Sequence, residues 1–581
     1  MKVLPLLSIL LVLAFAPLFA TMPEATQTLH LTNVDNQEDA GIALRTLIQQ
    51  AAAAQQPTVI SIPKGTYHFY PESAPEQAIF ISNHDQQSGH RIGIPLQGLK
   101  DVNIQGNGST FIFHGKMLPV VVMDSERITI SGINIAVDAP LAHEGTVVEA
   151  TPDSVTLQFS TTPAWGVEDG KFYICGKGWK LHPNHALGFE AAGPMLSHGL
   201  WGDMGWRFPA EKVGKDCVKF HTGTAVQKYG LKKGNILVLR NAWRPHPGML
   251  LYRAKDTVLN DVVFHDSMGM ALIAQRSENI RISGGGCLRA PGRIHTTAAD
   301  ATHFSNCKGL IHVEGATYEG MMDDAINVHA TCPAITEVQS PTSFVARFMH
   351  SQAYGFDIAA PGENLRFIRG KTLENTQETA KVQSVEVIDP MHVRITLETP
   401  LPAGVGVGDA VENDDWHPEV VFRNNTVRHN RARGALFTTP RPVLVENNHF
   451  DHSSGSAILL AGDAQGWYES GRCLDVCIRN NTFEHNLTAL YQFTHAIISI
   501  CPEVREPEKQ TLRYHDNVRI EHNTFITHRT PLLYAISASN VHFRNNNITY
   551  TDTYPAVGKK QPYITEYCEQ MNLQPVQQPA K

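Results

Sequence analysis

The chain contains 581 residues, with 48 Lys and Arg against 56 Asp and Glu, so its formal net charge is −8. This length exceeds that of an ordinary single domain, and the chain is therefore expected to form either several domains or one repetitive architecture. The negative balance and the lack of a basic run exclude nucleic acid as an expected partner.

The first twenty residues, MKVLPLLSILLVLAFAPLFA, combine one lysine with an apolar run and are followed by a polar stretch. Such a run at the extreme N-terminus is typical of a cleaved secretory signal, and it is short for a membrane span. Residues 1–20 are therefore predicted to be a signal peptide. We expect an exported protein, periplasmic or extracellular, with no membrane span in the mature chain.

Residues 21–136 are interpreted as an N-terminal cap followed by the first rungs of a solenoid. Residues 38–54 have the periodicity of an amphipathic helix, and the segment VISIPKGTYHF from Val59 has that of strands joined at a glycine. A solenoid needs a cover over its first rung, and a short helix that leads into a strand supplies one.

A repeat in the second half of the chain decides the fold class. Five segments share a template of alternating apolar residues, an Asn pair or a close variant, and a further apolar residue. They begin at Val420, Val443, Val476, Val518 and Val541, with spacings of 23, 33, 42 and 23 residues. Alternation indicates a strand with one buried face, and a unit this small buries a core only by stacking on copies of itself. We predict an all-β fold, a right-handed parallel β-helix.

The Asn pairs in this template predict how each coil turns. Asn tolerates the left-handed backbone that a tight corner requires. Its side-chain amide can also bond the Asn of the next rung. A β-sandwich is the alternative for the more loosely matching segments, but a sandwich has no reason to restore one period around insertions of different length.

Two long stretches interrupt the repeat and divide the chain. Residues 137–250 and 331–412 are predicted to be inserted β-rich domains, since insertions in such folds emerge on one face, often the binding face. Residues 251–330 are the rungs between them and contain a cluster of aspartates. Residues 413–550 are assigned to the C-terminal rungs and residues 551–581 to a C-terminal tail.

Three carboxylates between the insertions form the predicted catalytic cluster. Asp300 and Asp323 are 23 residues apart, which is the short period of the repeat, and Asp324 follows directly. In regular rungs, the first two would occupy equivalent corners of adjacent coils, about 4.8 Å apart. Three such groups cannot all ionise cheaply, so one is expected to hold a proton near neutral pH, as the general acid of glycoside hydrolysis must.

The Asp-Asp dipeptide also has a simpler interpretation as a turn without catalytic function. Neighbouring residues on a regular strand face opposite sides, so Asp323 and Asp324 can cooperate only at a corner or a bulge.

Candidate sugar-binding residues lie near the aspartates and in the loop AGDAQGWYESGR, residues 461–472. An aromatic ring can hold the apolar face of a sugar, while charged groups bond its hydroxyls. An ordinary exposed loop is the alternative. The predicted substrate-binding residues are Asn327, His329, Arg433, Asp463, Trp467, Glu469 and Arg472.

The cysteines and histidines do not indicate a metal site. Nine Cys include no CxxC pair, and the 28 His lack the spacing of metal ligands, so we expect no metal and no cofactor. Cys473 and Cys477 are close enough for a disulfide in an oxidising compartment, although pairing cannot be deduced from sequence.

At these residues the sequence resembles glycoside hydrolase family 110, the α-1,3-galactosidases acting on blood-group-B-type and related glycans. The resemblance rests on the Asp300 segment, on MMDDAINVHA and GDAQGWYESGR, and on the repeated NNTF rungs. It implies a β-helix with barrel-like insertions and an exo-acting, inverting hydrolase without a metal. It also implies that Asp323 is the general acid, while Asp300 and Asp324 position and deprotonate water. The implied partners are galactose-terminated oligosaccharides or glycoconjugates, with the linear Gal-α-1,3-Gal glycan left open.

Two other functions stay open from the residues alone. One is a hydrolase, lyase or epimerase acting on a uronic-acid polymer, which usually needs several cationic side chains, whereas only Arg433 and Arg472 are expected near the cleft. The other is a non-catalytic glycan-binding solenoid of the adhesin or tailspike kind. The sequence does not fix the oligomeric state, and a homodimer is left open.

Overall fold

A computed structural model describes residues 23–32, 38–191, 193–199, 204–490, 494–559 and 561–577. The predicted signal peptide, residues 1–20, lies outside the described residues. The chain coils into a solenoid of parallel strands that stack in three sheets, here called A, B and C, and two β-rich insertions leave this solenoid. The predicted parallel β-helix is confirmed.

Sheets A and B are joined by three long strands that bend from one into the other, and together they contain 21 strands. The shared strands are Lys100–Phe113, Glu126–Val137 and Lys255–Phe264. The strands of sheet A alone are Gln27–His30, Thr58–Ser61, Glu278–Ser283, Lys308–Glu314, Glu419–Arg423, Val443–Glu446, Val476–Arg479, His515–Glu521, Ala538–Arg544 and Glu569–Leu573. The strands of sheet B alone are Thr66–Phe69, Gly286–Cys287, Thr317–Glu319, Thr426–Arg428, His449–Asp451, Thr482–Glu484, Thr524–Thr527 and Asn547–Tyr550.

Sheet C is the third wall and leads to the predicted catalytic cluster. Its strands are Glu76–Gln77, His90–Gln97, Leu118–Met123, Met249–Tyr252, Leu272–Gln275, Thr302–Ser305, Ile326–Thr331, Ala435–Phe437, Ile458–Leu460, Ile498–Ile500, Leu533–Ile536 and Tyr563–Glu566. The short strand Glu469–Ser470 adds antiparallel to the end of Ile326–Thr331, outside the stack. This pairing holds the 461–472 loop against the C-terminal end of the strand Ile326–Thr331.

The corner between sheets A and B explains the repeated Asn pair. The first residue of each pair adopts the left-handed backbone, as in Asn447 with φ 56°. The second residue points inward and forms a buried ladder, in which Asn425 donates from its backbone N–H and its Nδ2 to Asn448 Oδ1, at 2.9 and 3.1 Å. Asn448 bonds Asn481 in the same way. One Asn therefore turns the chain, and the other connects consecutive coils.

The core of the solenoid is built from the inward side chains of the alternating strands. Phe450 and Phe483 stack at 5.3 Å between ring centroids, and Phe483 and Phe525 stack at 4.8 Å. The spacing of these rings follows the coil repeat, since identical positions on successive rungs lie directly above one another.

A helix covers the first rung, as expected from residues 38–54. The helix Ala40–Ala54 begins at Asp39, whose side chain accepts the Gly41 N–H, and it buries Leu44 and Ile48. A capping carboxylate satisfies one of the N–H groups that lack a partner in the first turn, and the apolar stripe closes the end of the core.

The first insertion contains a seven-stranded antiparallel sheet, a three-stranded sheet and a short helix, Ala225–Lys228. The seven strands are Ala142–Ala150, Ser154–Phe159, His185–Phe189, Met204–Gly205, Ala210–Lys212, Cys217–His221 and Ile236–Arg240. The three strands are Ala164–Glu168, Lys171–Gly176 and Trp179–Leu181. The chain returns from Ile236–Arg240 to the solenoid next to sheet C.

The second insertion is a closed six-stranded barrel. Its strands are Ala334–Ser340, Ser343–Arg347, Asn364–Ile368, Asn375–Asp389, His392–Leu397 and Ala410–Asn413. Its core is separate from that of the solenoid. Among the described residues outside the barrel, a 3-10 turn spans Pro507–Lys509.

Two features differ from the expectations. The strands Tyr563–Glu566 and Glu569–Leu573 stack on the preceding coil, so the solenoid continues into the segment assigned to a tail, residues 551–581. All nine cysteines are unpaired, so Cys473 and Cys477 form no disulfide. None of the helices in the described ranges is long and apolar enough to cross a membrane.

Candidate active site

The three predicted catalytic aspartates lie at one corner of the solenoid, where the chain leaves sheet B and enters sheet C. Thr302 lies opposite Ile326 in the parallel register, so the structural counterpart of Asp300 is Asp324, one residue later than the 23-residue period predicts. The Asp324 N–H donates to Asp300 Oδ1 at 3.3 Å. Asp323 is consequently the residue that turns toward the open side of this corner.

The carboxylates meet as the sequence spacing indicated. One carboxylate oxygen from each of Asp300, Asp323 and Asp324 lies within 4.8 Å of one from each of the others. Both members of the Asp-Asp pair lie outside a strand, in the bend before Ile326–Thr331, which removes the alternation that would send them to opposite faces. Asp300 and Asp324 are 3% and 0% exposed, whereas the Asp323 side chain is 14% exposed.

Arginines surround Asp323. Its Oδ2 lies 3.4 Å from Arg244 Nη2, and its Oδ1 lies 3.6 Å from Arg431 Nη1 and 3.9 Å from Arg433 Nη2. Burial alone raises the pKa of Asp323, but Arg433, Arg431, Arg244 and Arg240 outweigh it and hold this pKa below its usual value. Within the described part of the chain, Asp323 Oδ1 accepts no hydrogen bond, and its nearest cationic neighbour is Arg431.

Asp324 is paired on both oxygens with one arginine of the next coil. Arg433 donates from Nη2 to Oδ2 at 2.8 Å and from its backbone N–H to Oδ1 at 3.1 Å. Burial nevertheless raises the pKa of Asp324 to about 7, with Arg433 opposing the rise and Asp323 adding to it.

Asp300 contacts a buried pair of histidines. Its Oδ2 lies 2.7 Å from His303 Nδ1, and His303 Nε2 lies 2.7 Å from His329 Nε2. Burial, followed by the charges of Asp323 and Asp324, raises the pKa of Asp300 well above its usual value. The unliganded site therefore favours an ionised Asp323 beside protonated neighbours, which agrees with the expectation that the three carboxyls cannot all ionise together.

A cavity of about 220 Å³ opens at this corner. Five of the seven predicted substrate-binding residues line it together with Asp300 and Asp323: Asn327, Arg433, Asp463, Trp467 and Glu469. His329 lies behind His303, and Arg472 does not line the cavity either.

The 461–472 loop is shaped by its own acidic residues. Asp463 accepts backbone N–H groups from Gln465, Gly466, Trp467 and Tyr468. Its carboxylate therefore organises the loop while lining the cavity.

Two other side chains of this loop are held from outside it. Glu469 Oε1 accepts from Asn83 Nδ2 at 2.9 Å and lies 3.4 Å from His329 Nε2. The Trp467 ring stacks on His350 of the second insertion at 3.8 Å between centroids, with 27° between the planes.

Several cavity residues were not found from the sequence. Arg240 and Arg244 come from the first insertion, and nothing in its sequence indicated that its last strand returns beside the aspartates. Arg431 lies two residues before Arg433, a spacing that could have suggested a shared face. Of the two arginines expected near the cleft, Arg433 lines the cavity and Arg472 does not, and three further arginines line it: Arg240, Arg244 and Arg431.

Glu503 is a further cavity residue that the sequence did not indicate. It follows the short strand Ile498–Ile500 of sheet C, and its carbonyl oxygen accepts from Gln465 Nε2 of the 461–472 loop. Burial raises the pKa of Glu503 to about 7, and Asp463 and Glu469 contribute. A protonated carboxyl can donate a hydrogen bond, so Glu503 is suited to contact a hydroxyl oxygen.

Two groups at the site have a spacing compatible with metal ligands: the three aspartates, and His303 with His329 and Glu469. The first is surrounded by guanidinium groups, which already supply positive charge to the carboxylates. The second is already joined by hydrogen bonds. The donor set therefore fits an acid–base site better than a cation site.

Three family models match the chain. The GLAA-B beta-barrel domain I model matches residues 143–237, and the GLAA-B beta-barrel domain II model matches residues 343–411. The right-handed beta helix region model matches residues 404–548. These segments coincide with the first insertion, the second insertion and the C-terminal coils.

Curated relatives cover most of the chain. A protein from Akkermansia muciniphila named alpha-1,3-galactosidase B is 49% identical over 91% of this chain, which spans 66% of that relative. A protein of the same name from Parabacteroides distasonis is 38% identical over 90% of this chain and 88% of the relative. Among solved structures, an exopolygalacturonase from Yersinia enterocolitica aligns over 95% of this chain and 79% of its own, with a TM-score of 0.36 and 11% identity. With both GLAA-B barrels and identity of this extent, the chain belongs to the alpha-1,3-galactosidase family, glycoside hydrolase family 110.

Proposed function

We propose that the protein is an exo-acting glycoside hydrolase that releases terminal α-1,3-linked galactose from blood-group-B-type glycans. The observation that supports this most directly is the convergence of Asp300, Asp323 and Asp324 within 4.8 Å, with Asp300 and Asp323 lining a cavity and Asp324 buried behind them. The names of the relatives supply the sugar and the linkage.

The cavity supports attack on a terminal sugar. Its walls come from the solenoid, from the first insertion through Arg240 and Arg244, and from the 461–472 loop. A site walled on several sides admits the end of a chain more readily than its middle. Trp467 offers an aromatic face, and the unpaired Asn327 Oδ1 together with Glu503 offers hydroxyl partners.

We assign Asp323 as the general acid and Asp300 with Asp324 as the groups that position and deprotonate water. Asp323 has the most accessible carboxyl of the three, and its Oδ1 accepts no hydrogen bond from the described residues. The arginines oppose this assignment in the unliganded site, because they favour the ionised form of Asp323. A proton must therefore reach Asp323 before the leaving oxygen departs, and Asp324, with a pKa of about 7, is the nearest proton donor on the chain.

The direct test is product analysis with blood-group B trisaccharide. The protein should release free galactose and leave the fucosylated acceptor, while Asp323→Asn should fold and release none. Linear Gal-α-1,3-Gal in a parallel reaction defines the breadth of the substrate range. An intact trisaccharide after incubation with folded wild-type protein would refute the proposal.

The stereochemical outcome needs its own measurement. The resemblance implies inversion, whereas the oxygens within 4.8 Å are closer than the carboxyl groups of ordinary inverting enzymes, which are about 6.5–9.5 Å apart. We propose inversion. Proton NMR during the first turnovers should then show β-galactose before mutarotation, and α-galactose appearing first would establish retention.

The remaining proposals concern location and assembly. Residues 1–20 support export to the periplasm or beyond, which N-terminal sequencing of the mature protein would verify. Galactose-terminated glycans or glycoconjugates are the proposed partners. A homodimer is the proposed assembly, and light scattering of the purified protein gives its mass directly.

A further inference from the structure

The hydrogen bonds behind Asp300 form one continuous chain. Asp300 Oδ2 and His303 Nδ1 are 2.7 Å apart, His303 Nε2 and His329 Nε2 are 2.7 Å apart, and His329 Nδ1 is 3.0 Å from the Ala330 carbonyl oxygen. His303 and His329 are both 1% exposed. Both rings are therefore almost entirely enclosed by protein, although the edge of His303 borders the cavity.

Each of these three contacts requires one proton. The Ala330 carbonyl only accepts, so His329 Nδ1 must carry a hydrogen. Two Nε2 lone pairs cannot face each other at 2.7 Å, so one of these nitrogens carries a hydrogen. The same holds for the contact between Asp300 Oδ2 and His303 Nδ1. Three contacts therefore hold three protons.

The number of protons fixes the net charge of Asp300, His303 and His329 together, whichever atoms hold these protons. If Asp300 is protonated, both histidines are neutral. If Asp300 is a carboxylate, one histidine is an imidazolium. The net charge is zero in each arrangement, which suits a site that excludes water, and burial favours the fully neutral one because it raises the pKa of Asp300 and lowers that of His303.

We propose that His303 and His329 are positioning residues for Asp300. They take up the proton of Asp300 when Asp300 acts as a base on water. This step rests on the proposed hydrolase function. The count of three protons does not, because it follows from the contacts alone.

The proposed transfer conserves every proton. The Oδ2 proton of Asp300 moves to His303 Nδ1, and the Nε2 proton of His303 moves to His329 Nε2. This leaves Asp300 as a carboxylate and His329 as an imidazolium, 3.4 Å from Glu469 Oε1. Asp300 Oδ1 then accepts a proton from the attacking water as the water oxygen bonds to the anomeric carbon and the leaving oxygen takes a proton from Asp323. The added proton later leaves Asp300 for solvent.

The 461–472 loop has a second role in this proton transfer. Glu469 is the group at the far end of the chain that can stabilise the positive charge on His329. Its other contact, Asn83 Nδ2, holds the carboxylate in place. The 461–472 loop thus contributes to the charge of the base as well as to the sugar pocket.

Neutron diffraction from deuterium-exchanged crystals at neutral pD tests the proton count on the native protein. We expect one deuteron in each of the three contacts. Two deuterons or fewer across them would overturn the proposal. A protein without galactosidase activity could still give three, so this result is independent of the proposed function.

A kinetic test separates a proton-holding role from simple packing. In His329→Gln the amide can donate to His303 Nε2 but cannot take up a proton, so the Asp300 carboxylate loses the imidazolium that balances its charge. The acidic limb of the kcat/KM profile should move to higher pH by about one unit, a tenfold change in proton affinity. The matched control is His528→Gln, a histidine that is also fully buried but lies elsewhere in the solenoid. An unchanged limb in a folded His329→Gln protein would overturn the proposal.

Discussion

Two corners of the same solenoid stack polar residues coil upon coil, with opposite results. At the corner between sheets A and B, Asn425, Asn448 and Asn481 bond each other in a continuous ladder. At the corner between sheets B and C, Asp300 and Asp324 occupy equivalent positions on adjacent coils. An amide both donates and accepts, so identical amides satisfy one another, whereas carboxylates only accept and repel when ionised.

The difference shows what turns a structural position into a reactive one. The amides of the ladder are satisfied by one another and by backbone carbonyl oxygens, such as those of Val313 and Phe422. The carboxylates need protons or positive charges beside them. Arg433 on the next coil and Arg244 of the first insertion supply positive charge, and the buried His303 shares a hydrogen bond with Asp300. The same stacking distance therefore stabilises one corner and raises the free energy of the other.

Removing single carboxyl groups from the reactive corner should have the largest effect. Asp323→Asn and Asp300→Asn should each lower kcat on an α-1,3-galactobioside by about 10²–10⁴-fold, the usual contribution of an acid or a base. A dinitrophenyl α-galactoside, whose leaving group needs no proton, should restore turnover to Asp323→Asn but not to Asp300→Asn. Restoration in the opposite variant would exchange the two roles.

Removing an arginine should lower stability more at the corner between sheets B and C than near the corner between sheets A and B. Arg433→Met leaves the buried Asp324 without its partner and should lower the free energy of unfolding by about 3–5 kcal/mol. Arg423→Met, which removes a half-exposed partner of Glu314, should cost about 0–1 kcal/mol. Urea unfolding of both variants measures the contrast. Equal losses would mean that Asp324 has another counterion.

Breaking the amide ladder should have an intermediate effect. Asn448→Ala leaves the buried backbone N–H of Asn425 without its acceptor and should cost about 1–3 kcal/mol, while Asn481 Oδ1 keeps the backbone N–H of residue 448. Asn447→Gly, at the left-handed position next to it, should change stability by only about 0.5 kcal/mol, since glycine adopts this backbone freely. Similar losses in thermal or urea unfolding would contradict the division of roles within the Asn pair.

The pH dependence of stability should show an effect that is small for each pH unit and accumulates over the range. Asp324 has a pKa of about 7 in the folded protein against the ordinary 3.8. A raised carboxyl pKa stabilises the fold below pH 3.8, and this contribution is lost as the pH rises toward 7, by at most about 1.4 kcal/mol per pH unit.

The matched variant for this measurement is Asp324→Asn. It lacks the titrating group, so its unfolding free energy should fall less than that of the wild type between pH 5 and pH 7. Parallel curves for the two proteins would place the proton on another group of the cluster.

Much of the fold was predictable from the sequence because a solenoid repeats in sequence what it repeats in space. The segments from Val420 to Val541 indicated the coil, and the Asn pairs indicated the corners. The spacing of Asp300 and Asp323 predicted the cluster of carboxylates, although the register between these two coils is one residue longer than that spacing. A period fixes which coil a residue belongs to but leaves a shift of one residue open.

The rest of the site depends on where the insertions return. Arg240 and Arg244 reach the cavity because the strand Ile236–Arg240 ends beside sheet C, and no repeat in the sequence records that position. Arg472 was predicted to lie in the cleft because it belongs to the 461–472 loop, but it does not line the cavity. Local composition suggests which loop matters and does not give the direction of each side chain.

The stacking of His350 on Trp467 connects the second barrel to the sugar pocket. The main core of the barrel is its own, but Ile368 and Ala410 of the barrel pack in a second buried cluster with Ala464 of the 461–472 loop. A substitution at this junction can therefore move the loop that carries Trp467 without touching the carboxylates. Changes in the barrel can in this way alter sugar selectivity at a distance from the catalytic groups.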